Sequence, residues 1–131
     1  MTPDAALDVL AIQRLMSLYC LYLDGDDMDA WAGLWAPDGE MHAFRATWKG
    51  PEEIASHIGQ ADPGLHMAGV PTITVEGDRA TGKQNFLFVE QEGQALRLGR
   101  YEDTFTRLAD GWRFASRRIV FMKSTPPKPA A

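Results

Sequence analysis

Three residues in this chain have the chemistry to move a proton inside an apolar pocket: Tyr19, Asp24 and His66. Tyr19 and Asp24 bracket the end of the first helical stretch, in Tyr19-Cys20-Leu21-Tyr22-Leu23-Asp24-Gly25-Asp26, and His66 opens a later strand-like stretch. Histidine, with an ordinary pKa near 6.5, serves as base or acid at neutral pH. A carboxylate beside it fixes its tautomer, and a tyrosine hydroxyl can donate to a developing oxyanion. Asp24 is oddly placed for a purely structural carboxylate. At a helix C-terminus it faces the negative end of the macrodipole, which costs up to about 1 kcal/mol and favours the protonated form. The competing reading is that Asp24 caps a helix beginning near Asp27 and His66 is an ordinary strand histidine. Residue type and spacing alone favour that plainer reading.

The elements that must carry these residues are legible in outline. Thr2-Pro3-Asp4 reads as N-cap, first-turn proline and dipole-complementing acid. The stripe Ala5, Val9, Ile12, Met16, Tyr19, Leu23 keeps a helical period for about five turns, and Gly25 can end it. Asp26 or Asp27 caps a second helix over 28–35 that carries Trp31, Leu34 and Trp35. Pro37-Asp38-Gly39 reads as a turn before a strand over 40–48, and Gly50-Pro51-Glu52-Glu53 starts a third helix over 51–59. From His66 onward the pattern is strand and turn, with strands over 65–76, 79–91, 95–108 and 112–122. Three helices followed by long antiparallel strands predict an α+β domain, helices packed on one face of a curved sheet. The domain is expected over 1–123, and the proline-rich tail 124–131 is expected to be disordered.

Composition narrows the function classes. The 131 residues suffice for one core, and 45% hydrophobic with 24% charged residues is ordinary for a globular protein. A net charge of −5 argues against nucleic acid or an anionic membrane as partner. The single cysteine, Cys20 in an apolar helix, and an N-terminus without a charged-then-apolar signal point to a reducing, cytoplasmic location. Three histidines and one cysteine show no paired ligand spacing, so no metal is expected. Without a phosphate-cradling glycine loop or a nucleophile elbow, no cofactor is expected either.

Seven short motifs in register resemble the SnoaL-like branch of the nuclear transport factor 2 (NTF2-like) superfamily. They are Tyr19-x4-Asp24-x-Asp26, Leu34-Trp35-Ala36-Pro37-Asp38-Gly39, Trp48-Lys49-Gly50-Pro51-Glu52-Glu53-Ile54, His66-Met67, Gly77-Asp78-Arg79-Ala80, Gly99-Arg100-Tyr101-Glu102-Asp103 and Asp110-Gly111-Trp112-Arg113. The resemblance covers about 6–121 and implies a cone-shaped α+β barrel. Within the superfamily the chain is most similar to dehydratase-like members, among them bile-acid 7α-dehydratase and scytalone dehydratase. Tyr19, Asp24 and His66 match a Tyr–Asp–His set of the bile-acid enzyme one for one.

There are departures. Leu23 stands where the scytalone enzyme has a tyrosine, and that enzyme's second catalytic histidine has no counterpart in the strand bearing Gln84, Phe86, Phe88 and Glu90. Phe88 lies near the position of the bile-acid enzyme's pocket carboxylate. Compared with ketosteroid isomerase, Tyr19 and Asp103 match the oxyanion donors, but the base position falls near Ala43, beside His42.

The resemblance tips the balance toward function. It implies a cofactor-free lyase or isomerase (dehydration, double-bond shift or cyclisation) acting on a small, largely apolar steroid-, terpenoid- or polyketide-like molecule. The alternative is a non-catalytic binding or accessory protein using the same cup. Asp24, His66 and Tyr19 are the candidate catalytic set. Tyr22, Trp35, His42, Trp48, Phe86, Phe88 and Asp103 are candidate pocket residues, although aromatic residues in a small domain are more often plain core and the favoured reading of Asp103 is a pair with Arg117 or Arg118 across the strands. His57 is expected to face solvent. Apolar strand residues Leu87, Val89, Leu96 and Leu98 predict a homodimer or homotrimer through the sheet.

Overall fold

The computed structural model describes residues 1–93 and 95–122; the expected tail over 124–131 lies outside the described residues. Helix α1 spans Pro3–Asp24, with the Thr2 side chain accepting from the Ala5 amide at 3.1 Å. By length and apolar composition α1 could cross a membrane, but in this fold its Ile12, Leu15, Met16, Tyr19 and Cys20 are buried against the sheet. Its N-terminal half is tied to the far end of the sheet. Asp8 accepts from both Arg107 terminal nitrogens, at 2.6 and 2.9 Å, and from the Trp112 indole at 3.2 Å.

Helix α2 is a single short segment, Met28–Ala32, capped by Asp27. The second helix thus ends earlier than the sequence pattern predicts. Trp35, Pro37 and Gly39 belong to strand β1, Trp35–Ala43, rather than to a helix end and a turn. The reason is tertiary. β1 lies parallel to the last strand, and the register shift between Trp35 and Glu40 absorbs Pro37, which has no amide to donate. The single strand expected over 40–48 is a hairpin of β1 and β2 (Ala46–Lys49), turned by Phe44 and Arg45, both at positive φ (54° and 61°). Neither is a glycine or asparagine, so the usual signal for that turn is missing. Helix α3 covers Pro51–Ile58 and buries Ile54 and Ile58.

Strands β3 (Gly64–Ala68) and β4 (Thr72–Glu76) replace one predicted strand; Gly69-Val70-Pro71 interrupts it, and both halves pair antiparallel with β5 (Arg79–Glu90). β6 (Leu96–Leu108) and β7 (Gly111–Phe121) complete a seven-stranded sheet in the order β2-β1-β7-β6-β5-β3, with β4 also on β5. All pairings are antiparallel except β1 with β7. A second register shift, at Thr104/Phe105, bends the sheet into an open curve around the helices. β5 alternates exposed and buried residues along most of its length, so Ala80, Gln84, Phe86 and Phe88 face the helices.

Candidate functional site

The cavity opens at the C-terminal end of α1, between that helix, α3 and the inner face of β3, β5, β6 and β7. It encloses about 340 Å³ and is lined mainly by apolar side chains, including Leu23, Met28, Phe44, Ile58, Phe86, Phe88, Ile119 and Phe121. Two glycines make this wall possible. A methyl group at Gly64 would collide with the Val89 carbonyl and the Phe88 ring, and one at Gly99 would come within 2.5 Å of Phe86. With no side chain at Gly99, Phe86 lies against the sheet, stacked on Tyr101 at 4.3 Å.

Asp24, His66 and Tyr19 all reach this cavity. Asp24 is the last residue of α1, and its carboxylate spans the gap to β3. It accepts the backbone N–H of His66 at 2.8 Å and lies 2.6 Å from the His66 ring Nδ1. Asp24 therefore does not cap α2; Asp27 does, and the plainer reading of Asp24 fails on geometry. In a neutral imidazole, a carboxylate that accepts the Nδ1 hydrogen leaves the lone pair on Nε2. The two side chains are only 14% and 16% exposed. The His66 ring packs on Phe88 at 4.6 Å, which holds its plane.

Tyr19 is 1% exposed, and burial holds its hydroxyl above the usual phenol range, with the Arg117 charge opposing. It remains a neutral donor at any working pH. Beneath it sits a charged floor. Arg117 and Asp103, both side chains 0% exposed, form a two-point ion pair at 2.7 and 2.8 Å. The guanidinium lies 3.6 Å from the Tyr101 ring centre, 4.1 Å from Tyr19 and 4.6 Å from Phe114. Its remaining nitrogen, Nη1, has no hydrogen-bond partner among the described residues; the ring faces take the place of an acceptor. Burial works against this charge, but Asp103 outweighs it and keeps Arg117 protonated.

The other sequence candidates separate by strand parity. Phe86 and Phe88 line the cavity; Tyr22, Trp35, His42, Trp48 and Asp103 stand outside its lining. On α1 the cavity stripe runs Tyr19, Leu23, Asp24, which turns Tyr22 onto the edge of the core. Trp35 is buried between Trp31 and Phe114. Met41 and Ala43 point inward, so His42 points outward, beside Thr47 and Glu40. Trp48 stacks on the exposed His57. Asp103 faces inward but is consumed by Arg117.

Sequence reasoning missed Phe44, Arg97, Tyr101, Ile119 and Phe121 in the lining. The alternation Arg97, Gly99, Tyr101, Asp103 along β6 held the signal for two of them, once Asp103 was known to face inward. Among the described residues no group of three or more His, Cys, Asp or Glu is placed to hold a metal ion.

The sequence profile of the SnoaL-like domain matches residues 4–118. The chain belongs to the SnoaL-like family. Its structural relatives carry the NTF2-like, cystatin-like fold. An NTF2-like protein of Novosphingobium aromaticivorans is 28% identical, with a TM-score of 0.84 over 93% of this chain and 86% of the relative. A scytalone-dehydratase-like protein of the same organism is 21% identical, with a TM-score of 0.82 over 100% and 99%. A type 2 hexachlorocyclohexane dehydrochlorinase (LinA) is 21% identical, with a TM-score of 0.79 over 95% and 97%. A search of curated proteins found no match. The fold expected from the sequence is that of this family, a mixed, mostly antiparallel curved sheet that does not close into a full barrel.

Proposed function

We propose that this SnoaL-like protein is a cofactor-free lyase in which His66 removes a proton from carbon and a β-oxygen then leaves. The observation that carries the reading is the doubly anchored histidine. One carboxylate holds both the backbone and the ring of His66, which leaves Nε2 free on a histidine that lines a largely apolar cavity. A carboxylate–imidazole pair of this kind provides general base catalysis. The names of the dehydratase-like and dehydrochlorinase neighbours, both eliminations, agree with it.

In the proposed step Nε2 takes the proton of a carbon next to a carbonyl. The electron pair moves onto the carbonyl oxygen, where the Tyr19 hydroxyl donates to the enolate. The pair then returns to form the carbon–carbon double bond as the β-hydroxyl leaves. His66, now protonated, returns its proton to that hydroxyl, so water departs and the base is regenerated. Asp24 keeps the ring in the required tautomer and balances the imidazolium charge. The apolar walls exclude water and strengthen both interactions.

The test uses 3-hydroxy-1-tetralone, whose dehydration yields 1-naphthol and is followed by absorbance. Turnover by the wild-type protein that disappears in His66→Ala supports the reading. Turnover that is unchanged in His66→Ala, together with no exchange of the α-proton in deuterated water, removes it.

We also propose a homo-oligomer through the outer face of the sheet. Leu65 and Met67 on β3 and Leu96 and Leu98 on β6 are 45–59% exposed there, on either side of β5, and an exposed apolar patch of this kind marks an interface.

A further inference from the structure

Arg97 is a guanidinium in the lining of an otherwise apolar cavity, and the lyase reading gives it no task. It sits on β6, partly buried, and no carboxylate among the described residues lies within ion-pair distance of it. Its position is fixed by register. His66 pairs with Phe88, and Phe88 pairs with Arg97, so the three form one row across β3, β5 and β6 on the inner face. Phe88 lies between the other two, 4.6 Å from the His66 ring and 5.8 Å below the Arg97 guanidinium carbon. Two strand spacings separate the backbones of His66 and Arg97, roughly 10 Å.

We propose that Arg97 receives a carboxylate on the substrate and thereby sets which carbon meets His66. This rests on the lyase reading and names its substrate class: a flat, apolar acid, its ring system lying on Phe88, with the carboxylate at one end and the acidic carbon at the other. A planar guanidinium with free nitrogens matches a carboxylate at two points. The same lining contains three carboxylates, Asp24, Asp26 and Asp62. The Arg97 guanidinium offers one anion a partner, and the acids of the lining repel a doubly charged phosphate more strongly than a singly charged carboxylate. The exposed Asp26 and Asp62 belong to the links after α1 and after α3, away from β6, so they disfavour the reversed orientation.

The experiment compares binding of 2-naphthoate and its neutral counterpart 2-naphthamide by calorimetry, in wild type, Arg97→Met and Arg97→Lys. Neither probe has a leaving group, so the outcome does not depend on catalysis. Wild type should bind the acid at least tenfold more tightly than the amide, the range of a charge-assisted hydrogen-bonded contact. Arg97→Met should abolish that preference and leave amide binding within about twofold, and Arg97→Lys should retain part of it. Equal binding of the two probes to wild type, binding of neither, or equal weakening of both in Arg97→Met overturns the proposal. A carboxylate preference in a protein whose His66→Ala variant loses nothing would remove the lyase reading and leave the Arg97 site standing. Proton abstraction without the preference would do the reverse.

Discussion

Asp24 grips His66 at two points 42 residues away in sequence, the backbone amide at 2.8 Å and the ring Nδ1 at 2.6 Å. The first bond locks strand β3 to the end of α1; the second selects the tautomer. One carboxylate therefore sets both the position and the proton inventory of the proposed base.

If the pair acts as a unit, His66→Ala and Asp24→Asn should each lower turnover by roughly 10²–10⁴. The double variant should be little worse than the poorer single one, because groups that act together are not additive. Asp24→Asn should also loosen the attachment of β3, since an amide cannot accept both hydrogens as a carboxylate does. Faster amide hydrogen exchange at His66 in that variant would report the loss.

Tyr19→Phe keeps the ring that packs on Trp31, Tyr101 and Phe114 and removes only the hydroxyl. Its turnover should fall by less than that of His66→Ala, with KM nearly unchanged, because the donor acts on charge that develops only in the transition state. A change confined to KM would assign Tyr19 to substrate binding instead.

The buried Asp103–Arg117 pair should behave asymmetrically. Asp103→Asn leaves the buried guanidinium without its counter-charge and should cost about 3–5 kcal/mol of stability. Replacing both residues, as Asp103→Leu with Arg117→Met, should cost less than the single change. Urea denaturation of the wild type and both variants checks the order. A neutral Asp103→Asn would mean that the ring faces of Tyr19, Tyr101 and Phe114 suffice for the cation.

Cys20 gives the pH dependence. Burial pushes its thiol up from the ordinary 9.0 to about 11, with Arg117 opposing. Between these values the unfolded chain has released the thiol proton and the folded chain has kept it. Cys20 thus contributes stability that is full below pH 9 and is lost as pH rises toward 11. The folded protein should react slowly with Ellman's reagent at pH 8 and promptly once unfolded; Cys20→Ala should lose stability less steeply between pH 9 and 11.

Light scattering at micromolar concentration checks the oligomer. A mass of two or three chains is expected, returning toward one in Leu96→Lys with Leu98→Lys; a wild-type monomer would remove the proposal.

Much of this fold was legible before any coordinate. Thr2-Pro3-Asp4, the apolar stripe of α1, Gly50-Pro51 and the alternation of β5 to β7 are local signals, and the elements they mark are present because local propensity and burial agree there. The sequence by itself also determined the chemistry available: a carboxylate at a helix end, histidines in strands and a tyrosine in an apolar stripe. What it left undecided depended on partners distant along the chain. Trp35 to Gly39 form a strand because β7 offers them a parallel edge, and Phe44-Arg45 take a mirror-image turn because β1 and β2 must pair. Only the tertiary structure decided that Asp24 turns to His66 rather than to α2, that His42 points outward, that Asp103 is spent on Arg117, and that Arg97 shares a row with His66. Strand parity flips with a shift of one residue, and a shift that small leaves no mark in composition or spacing.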